Sequence, residues 1–226
     1  MKRLRPIRWP RRKPSRRAFL AIYRALFRHF GHRGWWPGDT PFEVMVGAIL
    51  TQNTAWTNVE KAIQNLKRAR RLNLNAMLNL SHRSLASLIR PAGYFNIKAK
   101  RLKNYLNFLQ RNYQGKISRM SKVTTAKLRK ELLEVNGVGE ETADSILLYA
   151  LKKKKFVVDA YTRRIFSRHR YLTGKEDYRE IQEIFERILP TSLRLYNDYH
   201  AQIVEVGKNF CRSRPRCEAC PLRNYL

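Results

Sequence analysis

Hydrophobic residues recur along this chain at the spacing of helices. Phe42, Val46, Ile49 and Leu50 fall on one face of a 3.6-residue repeat, as do Val59, Ala62, Ile63 and Leu66, and then Ala143, Ile146, Leu147 and Ala150. Glycine- and proline-bearing segments punctuate these blocks at 34–38, 90–93 and 136–139. The only β-like run, Phe156 to Val158, is too short to carry a sheet. The expected fold is all-α.

Composition narrows the partner. The 226 residues carry 47 Lys and Arg against 17 Asp and Glu, a net charge of +30, while 43% are apolar and can form a core. Such a field implies a polyanion, since contact with phosphates releases counterions. A ribosome-associated or membrane-surface protein is the blander alternative. The longest apolar run, Phe42 to Leu50, falls far short of the ~20 residues of a membrane span and contains Glu43. No secretory signal is legible. Residues 1–17 hold nine Lys or Arg interrupted by Pro6, Pro10 and Pro14, and no acidic residue precedes Asp39. An acid-free, Arg-rich start suits a transit peptide, but the prolines favour a basic arm that follows a nucleic-acid backbone.

Two glycines flank a small apolar residue in Asn136-Gly137-Val138-Gly139, after a helical segment ending near Glu134 and before a second helix from about Glu140. This suits a tight interhelical turn whose backbone can approach a phosphate; an ordinary glycine-capped αα-hairpin is the alternative. Twenty residues on, the apolar run Phe156-Val-Val delivers Asp159 to the start of another helix. A helix cap would explain this aspartate, and so would a carboxylate that stabilises an oxocarbenium-like sugar and positions water.

The segment 133–144, followed by Val157-Val-Asp159, resembles the helix-hairpin-helix/Gly-Pro-Asp superfamily of DNA glycosylases, in its endonuclease III branch. Gly47 to Thr54 resembles the family's helix and DNA-intercalating loop, and Arg90 to Arg101 its G-x-Y-N-x-K-A block. The resemblance implies two helical subdomains with duplex DNA in the groove between them. A barrel would span 44–155, with the hairpin at about 125–151. Residues 35–43 would join 156–226 in the second subdomain, and 1–34 would form a basic arm and first helix. It also implies Asp159 as the catalytic residue, with Gln52 in the loop that fills the space of a flipped base. Further DNA contacts would come from Asn53, Gly137, Val138, Gly139, Thr142, Lys98 and Arg101. The protein would be a monomer acting in the cytoplasm on the nucleoid.

Two departures matter. Bifunctional relatives carry a lysine two residues after the second hairpin glycine, where this chain has Glu141. A carboxylate forms no imine, so a monofunctional enzyme is expected, with Lys152 to Lys155 read as phosphate contacts. Cys211, Cys217 and Cys220 resemble three of the four ligands of the branch's [4Fe–4S] loop, the fourth position being Leu226. A cluster with an incomplete ligand set is expected, with zinc, His200 assisting, or no metal as alternatives.

Trp35-Trp36-Pro37 and Trp56 suggest a base pocket, with Glu141 at its edge. At least one tryptophan would be available to stack on a cationic base, and the pattern resembles the branch's 3-methyladenine glycosylases. Packing of the tryptophans at a subdomain junction is the alternative. Mismatched thymine or uracil and oxidised pyrimidines are alternative substrates, with Asp144 and Tyr149 as candidate contacts. A non-catalytic hairpin DNA binder is the remaining reading.

Overall fold

A computed structural model describes residues 12–225. The basic arm before Arg12 and the fourth-ligand position at Leu226 lie outside them. Among the described residues there is no strand, and the all-α expectation holds. The chain divides into two compact units, Gly34–Val157 and Met1–Arg33 with Val158–Leu226.

In the first of these units, α2 (Pro41–Leu50) begins at Thr40, whose side chain caps Glu43 N–H, with Pro41 in the first turn. Every residue from Glu43 to Leu50 is buried, so the helix is a core element on all sides. Buried Glu43 is paired with Lys67 at 2.8 Å. Helix α3 (Trp56–Arg68) buries Val59, Ala62, Ile63 and Leu66, the stripe its periodicity predicts. Two short helices, α4 (Leu74–Asn79) and α5 (His82–Leu88), precede the long α6 (Phe95–Tyr113), on which α5 packs. After α7 (Ile117–Lys122) come the hairpin helices α8 (Thr125–Leu133) and α9 (Glu140–Ser145). A π-helical turn over Ile146–Ala150 continues α9 and packs on α2, burying the third apolar set.

The second unit holds α1 (Arg16–Phe30), α10 (Ala160–Arg168), α11 (Tyr178–Ile188) and α12 (Leu193–Asn209). Phe19, Phe166 and Phe185 form its aromatic centre, with ring centroids 4.7–4.9 Å apart. Buried Asp198 of α12 accepts the Tyr23 hydroxyl and the Arg33 backbone N–H, which ties the middle of α1 and the segment after it to α12.

The division differs from the expected ranges chiefly at 35–43. These residues, with Gly34, Phe156 and Val157, group with 44–155 and not with the unit that holds 158–226. The reason is aromatic: Trp36 lies against Trp56 and Tyr149, both barrel residues.

Candidate active site and nucleic-acid interface

Phe156, Val157 and Val158 are buried, lie outside any helix, and deliver Asp159 to the N-cap of α10. Asp159 does cap the helix: Oδ1 accepts the Thr162 backbone N–H at 2.7 Å and the Thr162 hydroxyl at 2.8 Å. The second oxygen has a different neighbour. His200 Nε2 of α12 stands 3.6 Å from Oδ2, an ion pair whenever the imidazole is protonated, and both side chains are under 10% exposed. Burial pushes the Asp159 carboxyl up, but His200 and the two Thr162 hydrogen bonds outweigh it and hold it below the ordinary carboxylate value. The group is therefore ionised at neutral pH, and cap and reactive carboxylate are compatible roles for it. His200, weighed from the sequence as a zinc ligand, turns its Nε2 to Asp159 instead.

In the barrel unit, Trp35, Trp36 and Trp56 are half-buried in one cluster, with centroids 5.3–5.8 Å apart. The Trp36 ring continues it to buried Tyr149 at 5.2 Å. Gly47 makes room, since a Cβ there would lie 3.4 Å from Trp36 Nε1 and 3.7 Å from the Trp56 ring. The indole N–H groups of Trp35 and Trp36 are buried without an acceptor among the described residues, a cost of about 1–3 kcal/mol each. Pro37 is exposed beside them. Glu141 is exposed in the first turn of α9, without the burial that a pocket wall would show. Asp144 is no base contact: fully buried, it takes a two-pronged bond from Arg129 at 2.8 and 3.0 Å.

The hairpin turn and the loop after α2 are joined. Gln52 Nε2 donates to the Gly137 carbonyl at 2.9 Å and to the Thr142 hydroxyl at 3.0 Å, while Arg101 donates to Gln52 Oε1. Gly137 has φ +97°, and a Cβ there would sit 2.3 Å from Arg101 Cγ. Asn53, at φ +52°, is exposed beside Gln52. Val138 is buried, and its N–H bonds to Val135 O; a Cβ on Gly139 would meet nothing within 4 Å, so its surroundings are open.

Two lysine readings need correction. Lys98 is 1% exposed, and its ammonium donates to Leu50 O, Thr54 Oγ1 and Ala92 O at 2.6–2.8 Å. It staples the loop from within and presents no charge to a phosphate; burial and the neighbouring Arg101 charge bring its pKa down to about 8. Lys153 likewise donates to the carbonyls of Ser121 and Val123 at the end of α7, whereas Lys152 and Lys154 are exposed. Tyr94 was not singled out from the sequence. It is 70% exposed at φ +45°, next to a Gly93 whose Cβ would come within 3.9 Å of Thr54. The signal was an aromatic at the N-cap, between a turn glycine and the helix that opens at Phe95.

Cys211, Cys217 and Cys220 line a single cavity with Arg168, His169, Phe210 and Leu222. Arg168 donates to Cys211 Sγ at 3.3 Å, and Arg164 to the Cys211 carbonyl at 2.7 Å, so two arginines of α10 gather the loop. Burial, together with the Cys211 and Cys217 thiols, raises the Cys220 thiol. Three soft donors around one cavity fit a thiolate-ligated cluster in kind. Among the described residues, no group of three or more His, Cys, Asp or Glu is gathered tightly enough for a single metal ion.

Residues 46–191 match the family described as HhH-GPD superfamily base excision DNA repair protein. A provisionally described DNA repair glycosylase of Methanocaldococcus jannaschii is 53% identical, over 90% of this chain and 93% of its own length. The solved 3-methyladenine DNA glycosylase MagIII of H. pylori, bound to 1,N6-ethenoadenine, is 32% identical with a TM-score of 0.74, covering 84% of this chain and 97% of its own. A non-covalent endonuclease III–DNA complex has a TM-score of 0.80 at 20% identity, covering 93% of this chain and 94% of its own, and shares the fold.

Proposed function

Because the chain belongs to the HhH-GPD superfamily of base excision DNA repair proteins, we propose that it is a monofunctional DNA glycosylase releasing alkylated purines of the 3-methyladenine type. The observation that carries this reading is Asp159, a buried carboxylate kept ionised by Thr162 and His200. As the glycosidic bond breaks, its electron pair leaves with the base and positive charge develops on the sugar. Asp159 stabilises that charge and orients the water that adds to C1′ and then loses a proton. An alkylated purine already carries positive charge and departs neutral, so no general acid is needed for it.

The substrate reading is supported by the cluster of Trp35, Trp36 and Trp56, with exposed Pro37 beside it, and by likeness to a glycosylase solved with ethenoadenine. Stacking on a cationic base is worth ~1–2 kcal/mol. The hairpin turn at Gly137 to Gly139 contacts the DNA backbone, and exposed Asn53 and Tyr94 lie on the DNA face. Glu141 in place of the lysine supports release without strand cleavage. Cys211, Cys217 and Cys220 would hold a [4Fe–4S] cluster, whose part would be to brace the loop around the cavity they line. Iron and zinc analysis with the visible spectrum of anaerobically purified protein tests that assignment; zinc with no cluster band overturns it.

A single-turnover assay on duplexes bearing alkylated purines, uracil, mismatched thymine or oxidised pyrimidines, with and without alkali, tests the whole reading. Release of alkylated purine with strand breaks only after alkali is the expected result. Excision of a pyrimidine alone transfers the substrate to the mismatch or oxidised class, and binding without release from any duplex makes the protein a hairpin DNA binder. A covalent adduct trapped by borohydride would overturn the missing lyase step.

A further inference from the structure

Gln52 lies in the loop expected to enter DNA, yet its side chain is committed inward. An amide NH2 has two hydrogens, and both are used, on the Gly137 carbonyl and the Thr142 hydroxyl. The amide oxygen accepts from Arg101. Moving Gln52 into a duplex would break all three bonds and leave buried Thr142 and the Gly137 carbonyl in need of new partners.

These bonds fix the turn itself. The Gly137–Val138 peptide is held at both ends, its carbonyl by Gln52 and its N–H by Val135 O at 2.9 Å. Arg101, which bonds to Gln52, also fills the space beside Gly137, and Asn104 of the same helix donates to Asn136 O at 3.0 Å. On the loop side, the Lys98 ammonium pins Leu50 O and Thr54 Oγ1, the two flanks of Gln52 and Asn53. Asn53 is left exposed in the left-handed region, adjacent to an anchored neighbour.

We propose that Gln52 is a positioning residue that ties the Asn53 loop to the hairpin turn, so that backbone grip and insertion beside the lesion are made by one preformed surface. The tie rests on the reading that hairpin and loop both contact DNA. With it intact, the turn needs no ordering when it meets a phosphate, and a hairpin seated on the backbone has Asn53 already in register.

The test compares Gln52→Ala with Asn53→Ala in the full chain. Binding is measured by fluorescence anisotropy on an undamaged duplex and on one with a tetrahydrofuran abasic analogue, and hydrogen exchange is followed in the free proteins. Gln52→Ala is expected to weaken both duplexes by a similar factor, about tenfold, and to speed exchange at 50–54 and 135–140 together. Asn53→Ala should weaken only the abasic duplex and leave exchange at 135–140 unchanged. Thermal melting separates these effects from misfolding, and Gln52→Asn, too short to span to Gly137, should behave as Gln52→Ala. If Gln52→Ala binds undamaged DNA like wild type and loses only the abasic duplex, Gln52 is itself the inserting residue and the tie is refuted. Unchanged exchange at 135–140 refutes it equally. If wild-type protein binds neither duplex, the DNA-contact reading fails first and the proposal falls with it.

Discussion

The start of α10 and the hairpin turn solve the same local problem, holding a polar feature in a defined geometry, by opposite means. Asp159 is held by charge: an ionised carboxylate, two hydrogen bonds from Thr162, and an imidazole that pairs with it when protonated. Gly137 to Gly139 is held by neutral amide bonds and by shape, with Gln52 and Arg101 closing on a glycine that has no room for a side chain. The first arrangement sets a protonation state and therefore responds to pH. The second sets only backbone conformation.

The sharpest way to separate the two is Asp159→Asn. It removes the charge while leaving an oxygen to cap α10, so base release should fall by about 10²–10⁴-fold with duplex affinity retained. Parallel loss of binding in a gel-shift assay would show that the carboxylate serves the fold more than the reaction.

Gly137→Ala probes the other side. A Cβ 2.3 Å from Arg101 Cγ at φ +97° must displace the arginine and strain the turn. It should cost roughly 1–3 kcal/mol of stability and weaken lesion-bearing and undamaged duplexes alike. A variant with wild-type melting and affinity would mean that the turn is not preformed.

Trp36→Ala asks whether the aromatic cluster belongs with either region. Its contacts to Trp56 and Tyr149 predict a stability loss of roughly 3 kcal/mol, near the lower end for truncating a buried aromatic. Trp35, which lacks the Tyr149 contact among the ring pairs, should cost less stability and more excision of alkylated purine. Denaturant unfolding beside single-turnover rates distinguishes them, and equal losses in both measurements would erase the distinction.

The smallest effect is in pH. Because the folded pKa of Asp159 is depressed, its contribution to stability is full above the unfolded value, about 3.9. That contribution is lost as pH falls below this value toward the lower folded one. Melting temperatures from about pH 5 to pH 3 should fall more steeply for wild type than for Asp159→Asn, and Gly137→Ala should keep the wild-type slope. Superimposable slopes for wild type and Asp159→Asn would remove the charge argument.

Much of this was readable in the chain. The α3 stripe, the hairpin glycines and Asp159 after an apolar run are local patterns, and local patterns survive folding when burial and backbone geometry agree. Lys98 was misread, and the ties of Gln52 went unread, for one shared reason. A polar side chain is legible in a sequence, but its partner is not, and here the partners are backbone carbonyls and a threonine far along the chain. His200 belongs with them: nothing near it in sequence places its nitrogen 3.6 Å from a carboxylate forty-one positions earlier.

Hydrophobic period, glycine placement and net charge by themselves determined an all-α, nucleic-acid-directed chain with a hairpin and a single well-placed aspartate, because each depends on neighbours within a few residues. Only tertiary structure decided which cations are free to meet phosphate, which amide is a tie, and which imidazole steadies the carboxylate. Those outcomes depend on desolvation and on long-range hydrogen-bond partners, and neither exists until the helices have packed.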